Sequence, residues 1–219
     1  RLVFSVRTYG GRVWMPKRVD HEEKRDAIGR AVWAVLDEDG LMGLSIRSVA
    51  SRAGMPASTL QYFFATREDL ISHALQLAIK EQQDRIDAEA PGDSLAKQVE
   101  DALCSVLPLD DAQRVEAQVW FSALASLRGA THRKVLDDAE AGLDHLARWA
   151  VEVVVGRDVS GEAVRLRAFI DGLALNALSR PGVFTPSALR GHVRSYLQDL
   201  GARHPAVTPL GSTGERDSA

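Results

Sequence analysis

Apolar residues recur at intervals of three and four through most of this chain, the spacing that gathers them on one face of a helix. Ile28, Ala31, Val32, Val35 and Leu36 form such a face and predict a helix over 22–39, ended by Gly40. Ile46, Val49, Ala50 and Ala53 form a shorter one, with Ser45 ahead of it as a cap whose hydroxyl accepts a free first-turn N–H. The rhythm breaks at Ala53-Gly54-Met55-Pro56 and resumes at Leu60, Phe63 and Phe64. Gly54 suits a left-handed helix stop, and Pro56 cannot continue a helix but tolerates the first turn of a new one. The pattern over 46–64 is therefore two short helices joined by a tight turn, with small Ala50 allowing close approach. That is the shape of a helix-turn-helix, although a purely structural corner would have the same pattern.

Further along, Thr66 and Asp69 are spaced as a capping box ahead of Leu70, Ile71, Ala74, Leu75, Ala78 and Ile79, a long amphipathic helix broken at 90–93. Helices are predicted over 94–107 and 111–128, split by Pro108. Two more follow: 131–155 ended by Gly156, and 160–179 with Ser160 as cap and Arg180-Pro181-Gly182 as stop. The last is 186–200, after Thr185 and Pro186. No strand pattern or internal repeat stands out. The expected fold is all-α: an N-terminal three-helix helix-turn-helix unit over 20–66, then a C-terminal helical bundle over 67–201 for effector binding and dimerisation. A flexible arm over 1–19 and a disordered tail over 202–219, rich in Gly, Pro, Ser and Thr, flank them. Residues 1–14, ahead of Met15, are open to two readings: a native arm, or vector sequence or a misread start.

Composition narrows the function classes. The 219 residues are 45% hydrophobic with a net charge of -3, so any nucleic-acid contact must use a local patch and not a polycationic surface. The single cysteine, Cys104, allows no intrachain disulfide and suits a reducing cytoplasm. No apolar run nears the roughly 20 residues of a membrane span. The six histidines are scattered without metal-ligand spacing, and no phosphate-binding glycine loop or Cys-x-x-Cys occurs, so neither catalysis nor a cofactor is expected.

The stretch GLSIRSVASRAGMPASTLQYFFATREDL resembles the DNA-binding signature of the tetracycline-repressor (TetR) family of bacterial regulators. MPKRVDHEEKR and RLRAFIDGLALNAL are similar to its betaine-repressor (BetI-like) branch. The resemblance implies a homodimer that binds palindromic operator DNA and lets go when a small molecule fills the C-terminal region. Two departures stand out: Pro56 replaces a usual capping Ser, and Gln61 and Phe63 replace a common Tyr and a common His or Tyr.

In such a regulator, phosphate contacts give affinity and base-edge contacts give sequence choice. Helix N-termini at Ser45, Ala57 and Thr66, with Arg47 and Arg67, are expected to hold phosphate. Ser58, Thr59, Gln61 and Tyr62 are expected on the exposed face of the recognition helix, where Gln61 can pair bidentately with adenine. Lys17 and Arg18 are candidates for an arm on the backbone or in a minor groove. Phe169, Ile170, Leu173, Ala174 and Ala177 form one stripe, and Leu189, Val193, Tyr196, Leu197 and Leu200 another; they suit a dimer interface or the chain's own core. Trp120, Phe121, Leu124, Trp149 and Phe169 are candidates to line an effector pocket, with Cys104, His145, Asp171 or Asn176 as polar contacts; a lone residue of this kind is more often an ordinary core group than a ligand contact. The rival classes are an all-helical scaffold that binds no DNA, and an activator or co-repressor-dependent regulator of the same fold.

Overall fold

A computed structural model describes residues 17–88 and 94–205, and among them it contains nine helices and no strand. They are α1 (Lys17–Gly43), α2 (Ile46–Arg52), α3 (Ala57–Phe63), α4 (Arg67–Ala88) and α5 (Leu95–Cys104), then α6 (Asp111–Ser126), α7 (Ala130–Val155), α8 (Glu162–Ser179) and α9 (Pro186–Arg203). The expectations for residues 1–16, for the break at 90–93 and for the tail beyond 205 lie outside the described residues; residues 17–19, expected in the arm, and Ala202 and Arg203, expected in the tail, are instead helical, in α1 and α9.

The helix boundaries follow local chemistry. α1 starts five residues before the expected start at 22, because the residues ahead of its apolar stripe are mostly good helix formers with nothing to stop them. Gly40 breaks it with φ 65° and ψ -173°. α5 stops at Cys104 and not at 107, since Leu107 precedes Pro108 and is steered away from helical geometry. Ser160 does not cap α8: Gly161, at φ 81°, holds that position, and no side chain caps the helix. Thr66 and Asp69 do form their capping box, each backbone N–H donating to the other's side chain at 2.9 and 3.0 Å.

The apolar interior forms two buried clusters. The first gathers α1, α2, α3 and the first half of α4, and it also takes Val119, Ala123 and Leu127 at the α6 end and Leu136 from α7. The helix-turn-helix therefore shares its core with the bundle, and the apolar packing is not cut at residue 66. The second cluster joins α5, the second half of α7, α8 and α9. Where α1 crosses α4 the helices nearly touch: a Cβ on Gly29 would lie 2.8 Å from Leu77 and 3.4 Å from His73. His73 donates from Nε2 to the Arg25 carbonyl at 2.9 Å, and Trp33 donates to the Ala74 carbonyl at 3.2 Å.

The two apolar stripes on α8 and α9 face inward. Ile170, Leu173, Ala174, Ala177, Leu189, Val193 and Leu200 are buried in the second cluster, Leu197 packs against it, and Phe169 stacks on Tyr196 with centroids 4.5 Å apart. The buried members of both stripes thus serve the chain's own core, while Phe169, Tyr196 and Leu197 are only half-buried. The surface left open around α8 carries Val164 and Leu175, 73% and 52% exposed.

Candidate nucleic-acid interface and effector cavity

The corner between α2 and α3 is built by its own backbone. Gly54, at φ 64°, donates to the Ser51 carbonyl and Met55 donates to Ala50, the paired bonds of a Schellman stop. Pro56 then sits at the N-cap of α3 with φ -62°. Because Gly54 occupies a left-handed conformation, Gly54→Ala is expected to lower stability by about 1–2 kcal/mol, read as a shift in the urea midpoint.

This corner fixes which face of α3 looks outward. Leu60 is buried within α3 and Phe64 just after it, while Ser58, Thr59, Gln61 and Tyr62 are exposed, Tyr62 at 78%. The hydroxyl and amide groups named from the sequence are thus together on one open surface. Phe63 is half-buried, and its ring lies 5.4 Å from that of Tyr62. Arg25 on α1 sits behind α3, its guanidinium 4.4 Å from the Phe64 ring, and the His21 ring is 5.5 Å from Phe63. Neither was evident from the sequence, because α1 reaches α3 only through the tertiary fold.

The helix starts differ in what they leave open. Ser45 and Ser48 cap each other in a closed box, so the Ser45 hydroxyl is committed within the chain. No side chain caps α3, where Ala57 stands first. Arg47 is exposed on α2. Arg67, in contrast, turns inward and donates to the Leu41 carbonyl, holding the α1–α2 connection. Lys17 and Arg18 open α1, and their side chains lie outside the described residues.

Three polar links join α1 and α4 to the helices behind them. Arg114 on α6 meets Asp37 on α1 at 2.6 Å. His132 on α7 meets Asp69, in the capping box of α4, at 2.8 Å. Arg85 on α4 grips Glu116 on α6 with two bonds of 2.6 Å. Burial alone would raise the Asp69 carboxyl, but hydrogen bonds from His132 and Thr66 outweigh it and hold it below its ordinary range. A carboxylate lowered on folding contributes stability above about pH 4 that is lost as pH falls through the lowered value. Asp69→Asn is expected to flatten this acid limb of the unfolding curve, measured as urea midpoints between pH 3 and pH 7.

Between the two buried clusters lies a partly enclosed cavity of about 340 Å³, walled by α4, α6, α7 and α8 and by residues 102–106. Its surface is mainly apolar, from residues such as Leu75, Ile79, Val106, Leu143 and Ile170. α6 contributes Gln113, Glu116, Ala117 and Trp120, spaced at i, i+3, i+4 and i+7 and so aligned on one face. The Trp120 indole N–H is buried without an acceptor. Burial pushes the Glu116 carboxyl up even against the pull of Arg85.

Of the pocket residues named from the sequence, Trp120 and Asp171 line this cavity. Phe121, Trp149 and Phe169 pack against the second cluster and Leu124 against the first. His145 is exposed, and Asn176 spends its amide on the Gly172 carbonyl. Cys104 is buried in the second cluster, and burial pushes its thiol up to about 11, which leaves it an unreactive core group. Ile170 and Ala174, from the α8 stripe that suited a partner or the chain's own core, also form cavity wall. Glu116 escaped sequence reading, although a carboxylate four residues before a tryptophan on an apolar stripe was a usable signal. Among the described residues no group of three His, Cys, Asp or Glu could hold a metal ion, and no helix is long and apolar enough to cross a membrane.

These features agree with the known proteins that the chain matches. Residues 95–202 match the family model of the BetI-type transcriptional repressor C-terminal region. The HTH-type transcriptional regulator PksA of Bacillus subtilis (strain 168) is 35% identical over 195 residues, 85% of this chain and 94% of the relative. A transcriptional regulator from Rhodococcus sp. Rha1 superposes with a TM-score of 0.69 at 26% identity, covering 84% of this chain and 99% of that one. The multidrug binding protein EbrR, solved in complex with ethidium, superposes with a TM-score of 0.58 at 26% identity, covering 81% of this chain and 98% of its own. With a helix-turn-helix whose second helix presents a hydroxyl-rich face, and a helical bundle behind it that encloses a cavity, the chain belongs to the TetR family of transcriptional regulators.

Proposed function

We propose that the protein is a homodimeric repressor that grips a palindromic operator through α3 and releases it when a small molecule occupies the cavity. The exposed Ser58–Tyr62 face supports this reading: its hydroxyl and amide groups, of the kind that can read base edges, lie outward on a helix whose other side is locked into the core. One such unit has a short footprint, and two related by a twofold axis fix both spacing and palindromy.

The open apolar positions on α8 supply the partner surface. Val164 and Leu175 are exposed among the described residues, and Gly172 between them leaves space above the helix. The double variant Val164→Glu/Leu175→Glu is expected to run as a monomer in light scattering and to bind operator about a hundredfold more weakly, since it loses the second half-site.

Release follows from the course of α6. Glu116, Ala117 and Trp120 line the cavity, while Val119 and, toward the C-terminal end, Ala123 and Leu127 pack into the core of the helix-turn-helix; nearer its start Arg114 holds Asp37. A molecule that shifts α6 must shift α1, and with it the distance between the two recognition helices. It weakens operator binding by its preference for the shifted state, and by no more than that preference. The complex of EbrR with ethidium is in keeping with a small-molecule site in such a bundle. The reading is tested by fluorescence anisotropy on duplex DNA from upstream of the protein's own coding sequence. Raising salt from 50 to 200 mM is expected to weaken binding by about a thousandfold or more if six or so phosphates are neutralised. Salt-insensitive or absent binding there and across the rest of the genome would favour a scaffold.

A further inference from the structure

We infer that Glu116 recognises the charge of an effector that is an organic cation with an apolar body, and that Arg85 is its built-in stand-in, displaced when that effector enters. The inference rests on the cavity being the effector site. It begins with the cavity's charge. The ionisable groups that line it are Glu116, Asp138 and Asp171; no lysine, arginine or histidine lines it among the described residues. Their settings differ. The Asp138 and Asp171 side chains are 66% and 38% exposed, whereas Glu116 is 11% exposed. An ionised carboxylate in an apolar wall demands a cation.

Arg85 supplies that cation from outside the lining. It reaches across from α4 and satisfies both Glu116 oxygens. Its own side chain remains 36% exposed, and the carboxylates of Glu81 and Asp110 lie close enough to add to the field that holds its charge. A guanidinium driven off Glu116 therefore has solvent and other acids to settle on. The second arginine at this cavity has no such freedom. Arg167 holds Asp171, Asp144 and the Glu140 carbonyl at once, and its guanidinium sits 5.7 Å from the Trp120 ring. Of the ion pairs at this cavity among the described residues, Arg85–Glu116 is the one both buried at the carboxylate and open at the cation. Trp120, one turn along from Glu116, adds the aromatic face that suits a quaternary ammonium group. The exchange also cuts a tie between α6 and α4, the helix that follows α3, so recognition of the ligand's charge and loosening of the DNA-binding unit are one event.

The probes are benzyltrimethylammonium and its neutral isostere neopentylbenzene, titrated calorimetrically into wild type, Glu116→Gln and Arg85→Gln. The cation is expected to bind wild type more tightly than the isostere. Glu116→Gln should weaken cation binding by about tenfold or more, and Arg85→Gln should strengthen it by about tenfold, because the internal competitor is gone. The opposite signs are the diagnostic. A purely structural pair would make both variants weaken binding alike, and that result would overturn the inference. Equal binding of cation and isostere in all three proteins would overturn it too, while leaving the cavity as the effector site. Binding of neither probe to wild type would count against the cavity itself. If either variant fails to fold, the wild-type protein still decides. The Arg85 guanidinium NMR signals should lose their hindered rotation on saturation with benzyltrimethylammonium, and unchanged signals would overturn the exchange.

Discussion

Leu127→Ala is expected to destabilise the DNA-binding unit and the bundle together, by about 2–5 kcal/mol, in a single unfolding transition. Leu127 ends α6 and is fully buried, yet the cluster that buries it belongs mostly to the helix-turn-helix. Its truncation opens a cavity where α6, α1 and α4 converge, and the loss cannot be confined to one side. Chemical unfolding followed by far-ultraviolet circular dichroism and by tryptophan fluorescence should give coincident curves that shift as one. Two separated transitions, with only one displaced, would mean that the halves fold independently and that the shared core is not the link between effector and operator.

Thr59→Ala combined with Tyr62→Ala is expected to remove operator-selective binding, by at least about a hundredfold, while leaving the unfolding curve in place. The size follows from two lost contacts of about 1–3 kcal/mol of discrimination in each half-site, felt twice in a dimer. The intact fold follows from exposure: both side chains lie on the open face of α3, so their removal creates no cavity. Residual binding should persist through phosphate contacts and should stay sensitive to salt. Retained selectivity in the double variant would move base reading away from α3.

Much of this architecture was legible in the sequence because it is local. The 3.6-residue rhythm located the helices, the Thr66–Asp69 spacing announced its capping box, and Gly54 followed by Pro56 announced the corner of the helix-turn-helix. The exposed face of α3 followed from the positions that Leu60 and Phe64 reserve for the core. What was not legible depends on what covers a face. An apolar stripe states that it will be buried, and not by what, so Leu173 and Val193 suited a partner surface as well as an internal core. The same ambiguity spread the pocket candidates over Trp149 and Phe169, which pack internally, although Trp120 does reach the cavity. Arg67 illustrates the limit for charges: it stands at a helix start as a phosphate contact would, and folds back onto Leu41. The Glu116–Arg85 and Arg114–Asp37 pairs join residues 31 and 77 positions apart, beyond the reach of any local pattern.

Selection of binding sites from a pool of random duplex DNA tests the central claim most directly, because it assumes no operator in advance. The expected result is enrichment of a palindrome whose half-sites are spaced by about one helical turn or a multiple of it, lost when Thr59 and Tyr62 are both alanine. A pool that stays random with the wild-type protein, under salt conditions where DNA is bound, would contradict it: α3 would then hold DNA without reading it.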